Sequence, residues 1–126
     1  MARILVAEDD AANMKLAVTV LEGAGHEVLQ ARDGEAAVAL AAAHLPDLVL
    51  MDIQMPGTDG FMVLRRLRED ARTARLKVAA FTALAMKGDA ERLLAAGFDG
   101  YLAKPVRYRK FLREVARFIE GEMRRG

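Results

Sequence analysis

Three acids in succession, Glu8, Asp9 and Asp10, follow the apolar run at 4–7, and a fourth, Asp52, follows the apolar run at 48–51. Carboxylates brought together repel, and one is driven to hold a proton unless a cation joins them. Hard oxygen donors without histidine or cysteine suit Mg²⁺, which keeps several waters and takes few protein carboxylates. A carboxylate beside such an ion can attack phosphorus and form an aspartyl phosphate. Phosphoryl transfer then asks for in-line placement and for groups that neutralise the equatorial oxygens. The Thr82 hydroxyl and the Lys104 ammonium, at the ends of the apolar runs at 78–81 and 101–103, are suitable groups. Each residue alone has a plainer reading. Asp10 suits a helix N-cap, a threonine at a strand end often bonds a loop, and a lysine there is usually solvated. Capping does not account for Asp52, and the coincidence of all these groups is the signal.

The elements that must position them alternate. The runs at 4–7, 48–51, 78–81 and 101–103 are nearly continuous in apolar character, as strands buried on both faces of a parallel sheet must be. The run at 27–31 is more polar and suits an edge strand. Between them, Met14, Ala17, Val18 and Leu21 recur at helical spacing, as do Phe61, Leu64 and Leu67, then Ala90, Leu93 and Leu94. Alanine-rich 35–43 is helical by propensity, and Phe111, Val115 and Phe118 mark a last helix expected over 107–125. Gly23, Gly25, Gly34, Pro46, Gly97 and Gly100 punctuate the joints. The pattern is (βα)5, an α/β doubly wound five-stranded parallel sheet of the flavodoxin-like kind, strand order 2-1-3-4-5. Ligands of such sheets bind beyond the carboxyl ends of the strands, where these polar residues stand.

Composition narrows the choice. A chain of 126 residues, 53% hydrophobic and 29% charged, is expected to be a single domain over 1–126 with no output domain. The absence of cysteine excludes disulfide scaffolds and thiol chemistry. His26 and His44 are too few for a histidine metal site. A net charge of +1 argues against general nucleic-acid binding. No run is long enough for a membrane span or a secretory signal, so a cytoplasmic protein without membrane contact is expected. The charge is uneven: residues 101–126 hold eight basic and three acidic side chains. A basic amphipathic helix there is either a docking face for an acidic partner or a solvated face.

The segments VAEDD at 6–10, LVLMDIQMPGTDG at 48–60, FTALAMKGD at 81–89 and YLAKP at 101–105 together resemble response-regulator receiver domains of the CheY-like class. NMKL at 13–16, DIQMP at 52–56 and AMKGD at 85–89 are most similar to its stand-alone cell-cycle members. The resemblance implies that Asp52 is the phosphoacceptor. It implies Mg²⁺, with Mn²⁺ as a substitute, on Asp9, Asp52 and the backbone carbonyl of Gln54, with Glu8 acting mainly through water. Thr82 and Lys104 would hold phosphoryl oxygens, and Pro105 would follow the lysine through a cis peptide. Asp10 matches no family acid in this register; the other register pairs Asp9 with Asp10. Ala83, Leu84, Tyr101 and Pro105 would respond to phosphorylation. Tyr101 reads equally as a switch aromatic or as ordinary packing on the last helix. The output surface would be the face of the fourth helix, fifth strand and fifth helix, including Leu84, Ala85, Lys87, Glu91, Tyr101 and Arg107.

The implied donor is a sensor histidine kinase or histidine phosphotransfer protein, the implied output a downstream protein partner, and the default state a monomer. The chain would then be a phosphoacceptor and not an enzyme acting on external substrates. Two rival readings differ in class. A receiver-like binding module would act without phosphate. A small Mg²⁺-dependent aspartyl-phosphate phosphatase would place an acid two residues after its nucleophile, where this sequence has Gln54.

Overall fold

The computed structural model describes residues 2–83 and 88–121, so Leu84, Ala85 and Lys87 of the expected output surface lie outside the described residues. Strands β1 (Arg3–Ala7), β2 (Glu27–Ala31) and β3 (Leu48–Asp52) alternate with helices α1 (Ala11–Gly23) and α2 (Gly34–His44). A short hairpin, β4 (Gln54–Met55) with β5 (Thr58–Asp59), leads into α3 (Gly60–Glu69). Then follow β6 (Val78–Thr82), α4 (Asp89–Ala96), β7 (Gly100–Ala103) and α5 (Tyr108–Glu120). The large sheet is parallel throughout, in the order β2-β1-β3-β6-β7. With the hairpin set aside, this is the expected 2-1-3-4-5 arrangement.

Side chains alternate across a strand, so each strand feeds two cores. Ile4, Val6, Leu48, Leu50, Ala79, Phe81 and Leu102 pack with α1 and α5 on one face. Leu5, Ala7, Val49, Met51, Val78 and Ala80 pack with α2, α3 and α4 on the other. Strands buried on both faces cannot show polar alternation, which is why β1, β3 and β6 read as unbroken apolar runs. At the sheet's margin β7 does alternate, buried at Gly100 and Leu102 and exposed at Tyr101 and Ala103.

Aspartates cap α1, α2 and α3, three of the helices that begin at the functional rim. Asp10 accepts from the Asn13 N–H, Asp33 from Ala36 and Asp59 from Phe61, each at 2.8–2.9 Å. Two expectations need correction. The last helix begins at Tyr108 and stops at Glu120, because Gly121 turns left-handed (φ 83°) and returns its N–H to the carbonyls of Arg117 and Phe118; the rest of the expected span, 122–125, lies outside the described residues. The β4–β5 hairpin was not expected; two-residue strands are too short to give a period.

That hairpin leaves no room beside Gly60, the first residue of α3. A Cβ there would lie 2.7 Å from the Ile53 Cα, a backbone atom that cannot swing away. Gly60→Ala is expected to cost about 1–3 kcal/mol in urea unfolding, an overpacking penalty. Because Ile53 directly follows Asp52, the same variant should also weaken divalent-ion binding at the rim.

Candidate functional site

Register brings the polar residues together. The last β1–β3 pair is Ala7 with Met51, so Glu8 and Asp52 follow side by side at the point where strand order reverses. Asp52 pairs with Phe81, and Thr82 with Ala103, which sets Lys104 next along the rim. Parity assigns the faces. Glu8 continues Ile4 and Val6, Asp52 continues Leu48 and Leu50, and Lys104 continues Leu102, all toward α1 and α5. Thr82 falls on the other parity, with Val78 and Ala80.

Lys104 is the hub. Its Nζ lies 2.6 Å from Glu8 Oε1 and 3.0 Å from Asp52 Oδ2, and 5.0 Å above the ring of Phe81. Glu8 and Asp52 are almost wholly buried, at 1% and 2% exposure. The second oxygen of each accepts a backbone hydrogen bond: Asp10 N–H donates to Glu8 Oε2 at 3.0 Å, and Gln54 N–H to Asp52 Oδ1 at 2.9 Å. Glu8 Oε1 touches Lys104 as an ion pair but receives no directed hydrogen bond among the described residues. Burial pushes the Glu8 carboxyl above its usual range, against the opposing pull of Lys104 and the Asp10 N–H. Burial also pulls the Lys104 ammonium down, but its ion pairs with Glu8 and Asp52 outweigh this and its pKa ends above the usual lysine value.

Carboxylate oxygens of Glu8, Asp9 and Asp52 all lie within 4.8 Å of one another. Three acids against one ammonium leave negative charge to be balanced, and Glu8 Oε1 is buried without a directed donor. An all-oxygen set of this kind fits a hard divalent cation. Asp10 is not among these acids, since its side chain caps α1. Asp10→Ala is therefore expected to lose about 1 kcal/mol of stability while leaving a Mg²⁺ titration unchanged; a weakened titration would favour the Asp9–Asp10 register.

The other expected residues fall around this centre. Thr82 is fully buried at the end of β6, and its carbonyl accepts the Lys104 N–H at 2.9 Å. Ala83 is exposed immediately after it. The Lys104–Pro105 bond is cis. Tyr101 is 41% exposed on the outer side of β7, away from the buried core. Phe81, beneath the ammonium, was read only as a core residue. The signal available for it was its position one residue before Thr82.

A fold and site of this kind define a class, and the matches agree with it. Residues 4–116 match the family described as response regulator receiver domain. The polar-differentiation response regulator DivK of Brucella anthropi is 38% identical over 116 residues, covering 92% of this chain and 94% of that protein. Among solved structures, the receiver domain of sensor histidine kinase PA1611 from Pseudomonas aeruginosa, with magnesium coordinated in its active-site cleft, has TM-score 0.85 at 34% identity. That match covers 94% of this chain and 98% of the other. The chemotaxis protein CheY4 of Vibrio cholerae gives TM-score 0.86 at 26% identity over the same shares. The chain belongs to the response-regulator receiver family and is a two-component signalling domain of the DivK-like kind. No helix of the described residues is long and apolar enough to cross a membrane.

Proposed function

We propose that Asp52 accepts a phosphoryl group from a phosphohistidine on a sensor kinase or histidine phosphotransfer protein. The observation that carries this reading is the buried juncture of Asp52, Glu8 and Lys104 beside Asp9. In the transfer, a carboxylate oxygen of Asp52 attacks phosphorus, the bond from phosphorus to the donor imidazole breaks, and that nitrogen takes a proton from solvent. Asp9, Asp52 and the Gln54 carbonyl would hold Mg²⁺, with Glu8 acting mainly through water. When bound, the ion supplies countercharge to the phosphoryl oxygens. Lys104 already contacts Asp52 and needs only a small shift to pair a new phosphoryl oxygen, while Thr82 stands one residue beyond the strand partner of Asp52. Asp52 keeps its orientation through the Gln54 N–H.

We further propose that the domain acts as a cytoplasmic monomer and turns over no external phosphoester. The match to DivK, over 94% of that protein, supports a signalling role rather than turnover. Signalling would be a population shift in which Ala83, Leu84, Tyr101 and Pro105 respond to the new dianion, read by a downstream protein at the α4–β7–α5 face. Incubation with Mg²⁺ and a small-molecule phosphodonor, followed by intact-mass measurement, tests the central step. Wild type is expected to gain one phosphoryl group and Asp52→Asn none. Equal gain by both, or none by wild type, overturns the assignment and favours a binding module that acts without phosphate.

A further inference from the structure

Phe81 has no part in the transfer proposed above, yet it stands inside the site. It lies on the α1 and α5 side of β6, and its register partner on β3 is Asp52 itself. On the other side it pairs with Leu102 of β7, two residues before Lys104. Neighbouring strands lie about 4.8 Å apart, so the lysine must reach from β7 across β6 to touch Asp52. It crosses over Phe81: the ring is wholly buried, and Lys104 Nζ lies 5.0 Å from its centroid. Phe111 of α5 meets that ring at 5.9 Å and 43°, which braces it against the helix.

A lysine stem is long and flexible, and here its charged end has a second place to go. A hollow of about 150 Å³ opens beside it, lined by Lys104, Phe111 and Lys110 and by the acid Glu114. Glu8 and Asp52 hold the ammonium in the free protein. The hold of Asp52 weakens once its oxygen is bonded to phosphorus and no longer carries the carboxylate charge. The ring differs from both acids. It attracts a cation through the negative face of its π-system and has no net charge, so it holds the ammonium without neutralising it. Such contacts are strongest away from water. The Lys104 side chain is 13% exposed, whereas that of Arg92, over the ring of Phe61 at 5.7 Å, is 59% exposed. We propose that Phe81 is a positioning residue for phosphoryl transfer, its ring keeping the Lys104 ammonium at Asp52 and out of the hollow beside Glu114. The inference rests on the reading of Asp52 as phosphoacceptor. Packing alone asks only for an apolar side chain of this volume; positioning asks for the electrons of the ring.

The test uses the full chain with mono-, di- or trifluorophenylalanine placed at position 81. Fluorine draws charge from the ring face while nearly keeping the size of the ring. In metal-free protein, the NMR signal of the Lys104 ε-methylene is expected upfield of that of a solvated lysine, because it lies over the ring. That displacement should shrink stepwise along the series. With Mg²⁺ and a small-molecule phosphodonor, the rate of phosphoryl uptake should fall in the same order, by about tenfold overall. Fluorine makes a buried ring more apolar, so a slower rate at an unchanged urea midpoint cannot come from misfolding. Phe81→Leu should take up phosphoryl no faster than the trifluoro protein. The proposal is overturned if wild type lacks the displacement, if the displacement is constant along the series, or if uptake ignores the series. No uptake by wild type, with the displacement still shrinking, removes the phosphorylation reading and leaves the hold of the ring on the ammonium; normal uptake that is indifferent to fluorine removes this proposal alone.

Discussion

Lys104→Met is expected to lose about 3–5 kcal/mol of folding stability at neutral pH without metal, the cost of leaving a buried ion pair half-made. Two carboxylates that are almost wholly buried, Glu8 and Asp52, share this one ammonium. The volume of methionine keeps Phe81 covered, so the loss reports charge rather than a cavity. The sign of the pH dependence follows from Glu8. Burial already raises its carboxyl, and Lys104 is the leading influence that lowers it again. Without the lysine it rises further, and the folded state holds a proton that the unfolded chain releases. A group raised in this way favours folding most below its unfolded value of 4.5 and loses that contribution as pH rises through its folded value. The variant should therefore recover stability as pH falls from 7 toward 5, a range in which other carboxylates change little. Mg²⁺ should also rescue it, and by more than it stabilises wild type, because a ligand of the folded state adds stability in proportion to occupancy. Urea unfolding at both pH values, with and without Mg²⁺, measures all of this. A variant as stable as wild type at pH 7 in chelator would mean that the carboxylates do not depend on the ammonium.

How much of this could be read beforehand depends on where the signal lies. The sheet was legible because β1, β3 and β6 are buried on both faces and β2 lies at the margin, and each case leaves its own mark on the sequence. The rim residues were legible because a charged or hydroxyl group ending an apolar run has few structural uses. The face that each rim residue takes was not, since strands apolar on both sides carry no alternation from which to count. Only the register puts Glu8, Asp52 and Lys104 over α1 and α5 and sets Thr82 opposite. The dual role of Lys104 between Glu8 and Asp52 was hidden for the same reason. The Asp10 cap was foreseen, because capping is local. Contacts between distant loops leave no local trace, and Arg68 is the clearest of them.

In RRLRED, at 65–70, Arg68 reads as one more solvated cation on an amphipathic helix. In the fold it is a clamp. Its Nη1 donates to the carbonyls of Ala74 and Leu76, at 3.1 and 2.6 Å. Its Nη2 donates to the Gly97 carbonyl at 3.0 Å and to Asp99 Oδ2 at 3.1 Å. The same Asp99 oxygen accepts the Val78 N–H at 2.8 Å. One guanidinium thus joins the end of α3, the loop before β6, the end of α4 and the start of β7. Arg68→Ala is expected to cost about 2–4 kcal/mol, because it strands three carbonyls and a carboxylate. The side chain is about one quarter exposed, so water offsets part of that loss. Arg68→Lys should recover less than half, since an ammonium lacks the planar fork that reaches four acceptors at once. All of these partners stand at the amino-terminal edge of β6 and β7, across the sheet from Asp52. A Mg²⁺ titration of the folded variant should therefore match wild type while its urea midpoint falls. Parallel loss of both would mean that the clamp holds the far ends of β6 and β7 in the register the site requires.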